Sequence, residues 1–520
     1  MQSALGRGIL MVSRKRASIQ NAATALVSQL IMMVGQFATQ TIFVKTLGAQ
    51  YLGANGLFSN LIQFLSFAEL GIGAAFSYAL YKPLADHNQA AITAIMDLFR
   101  KVYNTIGLVI LAAGSVLTFF VPWFVAKGSS IDHIRWYFFL YLLSTVVSYF
   151  FTYNRSLLIA DQKSYVDATN QLIWSTLKYV FQIGFLLLFH SYFGYLIVLI
   201  ATNILSNIFI TMRSRHFYPY LKEKSDVEID PSIVNNIKKN VVGTVSSKIG
   251  SIVVTGTDNI LISKFIGLAV VGLYSNYALI LTSITRLLTQ VFAAVIASFG
   301  NLGATEGNNK DKQVDLFNQF TFYNAFSVFF IGLVSFAAFP PFIKLWVGSH
   351  YQLAESTVWF IVINFVFGQF RPALNMINAY GLFWGYRVKS IVEAVVNFGL
   401  SLLLVKFTSL GINGVLLGTI IGNILVNSWW DPWILFSGAY QRSMLGFYAK
   451  YWIYMAAFGA LLVIESFIIK LVAINPVGLL PVMGYMIVVA LIVGIVLLGV
   501  FAKTRGEREM FRLLKNIVHR

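Results

Sequence analysis

The feature that most constrains this sequence is a series of apolar runs, each about twenty residues long, that recurs along the whole chain. At a rise of about 1.5 Å per residue, such a run forms a helix of about 30 Å, the thickness of a bilayer's hydrocarbon core. Charged residues make up 11% of the 520 residues, against roughly a quarter in soluble proteins. The sequence therefore predicts an all-α, polytopic membrane protein.

About fourteen runs are long enough to cross the bilayer, and only residues 213–239 and 301–315 form substantial polar loops. The predicted spans are residues 18–44, 53–81, 100–125, 134–154, 165–190, 193–212, 240–263, 270–299, 316–343, 354–381, 388–408, 412–430, 447–469 and 478–502. Pro340-Pro341 and Pro372 are expected to interrupt the ninth and tenth of them.

The distribution of basic residues predicts the orientation, because Lys and Arg accumulate at the cytoplasmic ends of spans. With a cytoplasmic N terminus, the inner segments carry 27 of the 38 Lys and Arg residues and the outer loops carry seven. We therefore expect a multi-pass protein of the cytoplasmic membrane with both termini inside. The net charge of +18 belongs mainly to these inner segments and does not indicate nucleic-acid binding. The absence of cysteine excludes disulfides and thiolate metal sites.

A short pattern occurs twice at a constant offset of 219 residues, each time at a predicted outer hairpin. The copies read Lys45-Thr-Leu-Gly48-Ala-Gln-Tyr-Leu-Gly53 and Lys264-Phe-Ile-Gly267-Leu-Ala-Val-Val-Gly272. Six spans separate them, so both copies have the same orientation in the membrane. This predicts two six-helix bundles related in parallel by a pseudo-twofold axis along the membrane normal, followed by two additional helices.

The predicted organisation follows from this repeat. Residues 1–217 form the N-terminal six-helix bundle, 218–239 a cytoplasmic linker and 240–436 the C-terminal six-helix bundle. Residues 437–520 form the two additional helices and a basic cytoplasmic tail.

Three local patterns carry a family resemblance. They are Thr257-Asp258-Asn259-Ile-Leu-Ile-Ser-Lys264-Phe-Ile-Gly267, Pro341-Phe-Ile-Lys344-Leu-Trp346-Val-Gly348, and the stretch from Asn397 to Thr419. With the helix count, they resemble the polysaccharide transporter (oligosaccharide flippase) family of the multidrug/oligosaccharidyl-lipid/polysaccharide exporter superfamily. The resemblance implies a flippase that moves an undecaprenyl-diphosphate-linked oligosaccharide repeat unit to the outer leaflet by alternating access, for surface or exopolysaccharide assembly. The expected partners are that polyprenyl-diphosphate-linked oligosaccharide, membrane lipids, a polysaccharide polymerase and glycosyltransferases.

Other functions remain open at this stage. A lipid II flippase or a multidrug exporter of the same superfamily is the main alternative, although the multidrug branch typically has twelve helices. A membrane polysaccharide polymerase or glycosyltransferase would need reactive groups on a sizeable aqueous loop, and the outer loops here are short. We therefore expect a transporter rather than an enzyme, without catalytic residues, a metal centre or a cofactor. No nucleotide-binding motif is present, so any coupling is expected to use H⁺ or Na⁺.

Positively charged side chains within spans are costly and usually face a cavity or a partner. Lys248, Arg286 and Arg371 lie at similar predicted depths in the inner half of the second bundle, and Lys178 lies nearer the middle of the first. Together they suggest a pocket for a diphosphate, which Arg binds bidentately and Lys as a point charge. The alternative is internal ion pairs, for instance between Arg286 and Glu69.

The acidic and amide residues of the spans have similarly open roles. Asp258 could bind a coupling cation or proton or hold helices together, and the same applies to Glu69. Gln29, Gln36 and Gln40 share one helix face and could bind sugar hydroxyls or neighbouring helices. Glu393 and Glu465 lie near predicted span ends, where their carboxyl groups could reach the interface.

Overall fold

The computed structural model describes residues 2–69, 71–128, 131–222, 234, 237, 256–305 and 309–501, with side chains from residue 28 onward apart from a few positions inside helices. Every regular element in these residues is helical, which confirms the all-α class. Eleven described helices are long and apolar enough to cross a bilayer, or twelve if one bent pair counts as a single span. The predicted count of about fourteen is consistent with this, because the seventh predicted span is described only from residue 256.

The chain divides into two compact units, residues 1–245 and 246–520. The helices of the first unit are α1 (Gln2–Leu65), α2 (Ile72–Ala85), α3 (Gln89–Phe120), α4 (Ile134–Tyr149), α5 (Thr152–Ala160), α6 (Ser164–Phe189) and α7 (Tyr192–Phe217). A 3₁₀ turn, Ser66–Glu69, lies between α1 and α2. α1 contains the first predicted hairpin, because it bends at Gly48, whose φ of 81° a glycine adopts without steric cost.

The second unit begins with α8, described over residues 256–265. Its other helices are α9 (Leu268–Thr305), α10 (Lys310–Trp346), α11 (Glu355–Gln369), α12 (Pro372–Tyr380), α13 (Phe383–Phe407), α14 (Ile412–Gly422), α15 (Ser428–Leu435), α16 (Leu445–Val472) and α17 (Leu479–Phe501). α16 and α17 pack on α10. Apolar side chains such as Phe467 and Leu480 are exposed on them, as expected for helices that face lipid.

The two units share two local backbone features, a glycine with positive φ and a broken span. Gly48 and Gly267, which the sequence repeat pairs, both have positive φ, 81° and 135°. A span is broken at residues 150–151 between α4 and α5, and another at residues 370–371 between α11 and α12. The second break is explained by Pro372, which lacks an amide proton and starts α12 at its first turn. The two glycines of the repeated pattern therefore share the left-handed backbone region, and the duplication of the bundle stays a prediction.

Two sequence-based boundaries need correction. The predicted span 412–430 ends too early, because α14 and α15 continue to Tyr440 through π-helical turns at Asn423–Asn427 and Phe436–Tyr440. Pro340 and Pro341 do not interrupt the ninth span, since both lie inside α10. The Pro340 carbonyl accepts a hydrogen bond from Gln352 Nε2 at 2.7 Å, so this oxygen is satisfied by a side chain beyond the helix.

Candidate functional site

A buried cluster of four charges lies within the second unit. Arg371, at the break between α11 and α12, donates from Nε and Nη2 to Asp431 Oδ2 at 3.0 and 2.7 Å. Its Nη1 lies 3.4 Å from Glu393 Oε1. Lys389, which is fully buried, donates to Glu393 Oε2 at 2.6 Å and lies 3.0 Å from Asp431 Oδ1. Tyr386 accepts hydrogen bonds from both Arg371 and Lys389.

These groups satisfy one another, because two cations face two carboxylates and the formal charges sum to zero. Asn427, in the first π-helical turn, donates to Glu393 Oε1 at 2.7 Å and adds a neutral donor to the cluster. The adjoining cavity, lined by Arg371 and Asp431, holds about 10 Å³, which is about the room for one water molecule. In this conformation the cluster accordingly stabilises α12, α13 and α15. Direct contact between Arg371 and substrate stays a prediction.

The sequence analysis did not single out Lys389 or Asp431. It named Glu393 as a residue near a span end whose carboxyl group could reach the interface. Glu393 is instead 5% exposed and Asp431 is 2% exposed. The available signal was the spacing of Lys389 and Glu393, since residues four apart on a helix can form an ion pair.

Asp258 forms a second buried polar site in this unit, and its side chain is in contact with α14. Its carboxylate accepts from Thr419 Oγ1, at 3.3 Å to Oδ1 and 3.4 Å to Oδ2. Asn397 on α13 donates from Nδ2 to the same Thr419 oxygen at 2.9 Å. Asp258 is 8% exposed and forms no ion pair with a described residue. An unpaired carboxylate is costly to bury, so this position favours either a bound cation or a bound proton.

The surroundings of Asp258 offer further oxygens. Asn397 Oδ1 is buried and accepts no hydrogen bond from the described residues. Close packing of α13 on α14 holds Asn397 and Thr419 together, because a Cβ at Gly418 would lie only 2.5 Å from the Ser401 backbone nitrogen. A carboxylate, a hydroxyl and an amide oxygen are the ligands that hard cations prefer. Binding of a cation or a proton at Asp258 stays a prediction.

The three other predicted cations differ in their surroundings. Arg286, on α9, is exposed and forms no ion pair with a described carboxylate. Lys178, on α6, is half-buried, and its ammonium lies 4.9 Å from the ring centroid of Tyr179. Lys248 lies outside the described residues.

Glu69 lies in the 3₁₀ turn after α1, where it is half-buried. Tyr103 on α3 donates to Glu69 Oε1 at 3.3 Å. Tyr149 on α4 donates to Ser66, in the same turn, at 2.9 Å. Glu69 thus joins α1 to the neighbouring helices of the first unit, and an additional role in ion coupling stays a prediction.

Gln29, Gln36 and Gln40 are all half-buried along α1, which packs on α6. Close contact between these helices is evident at Gly35, where a Cβ would lie 2.3 Å from the Tyr179 ring. A role for the three amides in sugar binding stays a prediction.

A further buried network in the first unit was not predicted. Arg155 on α5 forms an ion pair with Asp167 on α6, and donates to Ser206 and Asn207 on α7 at 3.0 and 3.3 Å. Asn170 also donates to Ser206 Oγ, at 2.9 Å. The network joins three consecutive helices and leaves Arg155 satisfied, which is typical of a structural ion pair.

Comparison with known proteins identifies the architecture. No protein-family model and no curated protein matches the sequence. Among solved structures, the chain is similar to an inward-facing multidrug resistance MATE family transporter of the MOP superfamily, with a TM-score of 0.64 and 17% identity. That alignment covers 79% of this chain and 97% of the other. The chain has the fold of the MOP superfamily transporters.

Two further solved structures have this fold. The lipid II flippase MurJ, in an inward closed conformation, matches with a TM-score of 0.64 and 15% identity, covering 93% of this chain and 98% of its own. A MOP superfamily transporter from Pyrococcus furiosus Vc1 matches with a TM-score of 0.54 and 18% identity, covering 81% of this chain and 97% of its own. At these identities the likeness concerns the fold.

Proposed function

We propose that this chain is a flippase that moves a polyprenyl-diphosphate-linked oligosaccharide from the inner to the outer leaflet by alternating access. The observation that supports this most is the extent of the likeness to the lipid II flippase. That match covers 93% of the chain, whereas the match to the inward-facing multidrug transporter covers 79%. The difference is 14% of 520 residues, or about 73 residues, which is about the length of the segment from Leu445 to the C terminus.

The additional helices α16 and α17 lie in that segment. We infer that they account for the larger coverage, which favours a lipid-linked substrate over a soluble drug. The family resemblance of the sequence patterns adds the oligosaccharide to this proposal.

Arg286 is the cation that best suits the anionic head group. An exposed guanidinium within a span costs about 3 kcal/mol or more against lipid, so it must face water or an anion. Arg371, by contrast, is already bound to Asp431 and Glu393. We therefore propose that the diphosphate binds at Arg286. Lys178, Lys248, Gln29, Gln36 and Gln40 stay candidate substrate contacts from the sequence alone.

We also propose that Asp258, with Thr419 and Asn397, binds the coupling ion, either Na⁺ or H⁺. A Na⁺ ion would use all three oxygens, whereas a proton would need Asp258 alone. Binding in either case neutralises the buried carboxylate. The change in charge then alters the packing of α8 against α13 and α14, which is how ion binding would be coupled to movement.

Deletion of the gene tests the substrate class in cells. Lipid-linked repeat units should accumulate on the cytoplasmic leaflet, while export of cationic dyes should be unchanged. Normal surface polysaccharide together with lost dye export would instead show a multidrug exporter.

Complementation with variants tests the anion site. Arg286→Gln should fail to restore polysaccharide export, and Arg286→Lys should restore part of it, because a charge remains. Arg387→Gln is the matched control, since Arg387 is also in the second unit, lies over the Trp384 ring and lacks a described carboxylate partner. Equal export by Arg286→Gln and the control would remove Arg286 from the proposed site.

A further inference from the structure

A cavity of about 260 Å³ lies between α10, α16 and α17, apart from every site described above. Its walls are almost entirely apolar and include Leu333, Leu461, Val489 and Ile492. A cavity of this size and lining is suited to one small hydrophobic ligand.

Glu465 contributes the only carboxyl group among the residues that line this cavity. It lies seven residues before the end of α16, about 10 Å along the helix from Val472, so the interface is not within easy reach. Its Oε2 is buried and accepts no hydrogen bond from the described residues. Glu465 therefore places an oxygen without a described hydrogen-bond partner beside an apolar cavity.

Glu465 forms no ion pair with a described cation. Lys470, the nearest basic residue along α16, lies 2.8 Å from Glu355 Oε1, and Ser466 donates to that same oxygen at 3.1 Å. The Tyr485 hydroxyl belongs to the only other side chain with an oxygen in the cavity wall. Among apolar side chains an unpaired carboxylate is costly, and a cation that enters the cavity would offset this cost.

We propose that this cavity binds one hydrophobic amine, whose apolar body fills the space and whose ammonium group pairs with the Glu465 carboxylate. A lipid tail would match the walls but would leave the carboxyl group without a partner. A hydrophilic cation would match the carboxylate but would lose its hydration against apolar walls. Only a ligand with both parts matches the charge and the lining.

Binding is tested with the purified full-length chain in nanodiscs of phosphatidylcholine, using radiolabelled 1-adamantylamine as the probe and 1-adamantanol as its neutral counterpart. Empty nanodiscs correct for partition into lipid. The wild type should bind one amine per chain, about tenfold or more tightly than Glu465→Gln does, as expected for the loss of one charge-assisted contact in an apolar site. The alcohol should show no such difference.

Two variants complete the test. Glu355→Gln removes a carboxylate of the same unit that is exposed and paired with Lys470. This variant should bind the amine with the same affinity as the wild type. Ile492→Trp places a large ring at the cavity wall and should weaken amine binding while it leaves Glu465 in place. If Glu465→Gln does not fold, Ile492→Trp still decides whether the amine occupies this cavity.

Carbodiimide labelling of Glu465, measured by mass spectrometry, provides an independent readout in the wild type. The amine should slow the total modification of Glu465, counted as the carbodiimide adduct plus the amide that forms when the amine itself traps the activated carboxyl group, and the alcohol should not. Equal binding of amine and alcohol, or equal amine binding by the wild type and Glu465→Gln, would overturn the proposal. Shielding of Glu465 by polyprenyl phosphate but not by the amine would also overturn it, because the occupant would then be a lipid tail.

Discussion

Replacement of Asp431 by asparagine tests the buried charge cluster most sharply, because the two side chains have the same shape. The carboxylate accepts two hydrogen bonds from Arg371, at 3.0 and 2.7 Å, and lies 3.0 Å from Lys389. After substitution, two buried cations share the single carboxylate of Glu393. The cluster then carries one uncompensated positive charge.

The expected cost follows from the burial of these groups. The side chain of Asp431 is 3% exposed and that of Lys389 is fully buried. Loss of one partner from such a buried pair costs about 3–5 kcal/mol, because the remaining charge is left unpaired. A second substitution, Lys389→Met, removes that excess charge and leaves Arg371 with Glu393. The double variant should therefore regain part of the loss.

Thermal stability in detergent, followed as the fraction of monodisperse protein after heating, measures both effects. Asp311→Asn is the matched control, since Asp311 lies 2.6 Å from Arg442 but both side chains are exposed, at 84% and 46%. An exposed pair contributes about 0–1 kcal/mol, so this variant should melt close to the wild type.

An Asp431→Asn variant with the same melting temperature as the wild type and Asp311→Asn would refute the assigned role of the cluster. A double variant whose loss of stability equals the sum of the losses of Lys389→Met and Asp431→Asn would also refute it, because substitutions within one charge network should not be additive.

Three further predictions concern other parts of the chain. Asp258→Asn should abolish the dependence of transport on an imposed Na⁺ or H⁺ gradient across vesicles while the protein stays folded; persistence of that dependence would rule out the coupling site. Gly418→Ala should destabilise the protein by about 1–3 kcal/mol in thermal melts, because the added Cβ meets the Ser401 backbone, whereas Gly399→Ala has open space and should not. For topology, the chain's lack of cysteine allows labelling of intact cells with an impermeant maleimide: a cysteine in the loop after α13, at Ser409→Cys, should react, and one before α16, at Ser443→Cys, should not. The reverse labelling pattern would invert the orientation.

Much of the fold was predictable because the bilayer sets the length of each apolar run. α6 and α17 begin and end within one residue of the predicted spans. The predicted boundaries differ most from the structure where a helix continues beyond the apolar run into polar sequence. α3 and α10 begin at Gln89 and Lys310, well before the predicted residues 100 and 316.

The missed helix starts have a recognisable cause in side-chain capping. Asn88 accepts a hydrogen bond from the Ala91 backbone nitrogen, and Asn309 accepts one from that of Lys312. An asparagine at this position satisfies a backbone amide that has no partner within the helix. The capping asparagines in the polar loops therefore mark these helix starts, which lie outside the apolar runs.

The pairing of charges was beyond prediction because it depends on helix rotation and on local breaks. The intramembrane positions of Arg371 and Asp258 were predicted, since a charge within an apolar run is visible in sequence. That Arg371 meets Asp431 depends on the turn before Pro372 and on a helix that continues past residue 430 through π-helical turns. Neither feature has a periodic signal in the sequence.

Transbilayer movement of a labelled polyprenyl-diphosphate oligosaccharide in vesicles that contain only the purified chain tests the proposed function most directly. The account predicts that the wild type moves this lipid to the opposite leaflet faster than protein-free vesicles do, and that Arg286→Gln does not. Movement at the protein-free rate by the wild type, under imposed Na⁺ and H⁺ gradients alike, would contradict it.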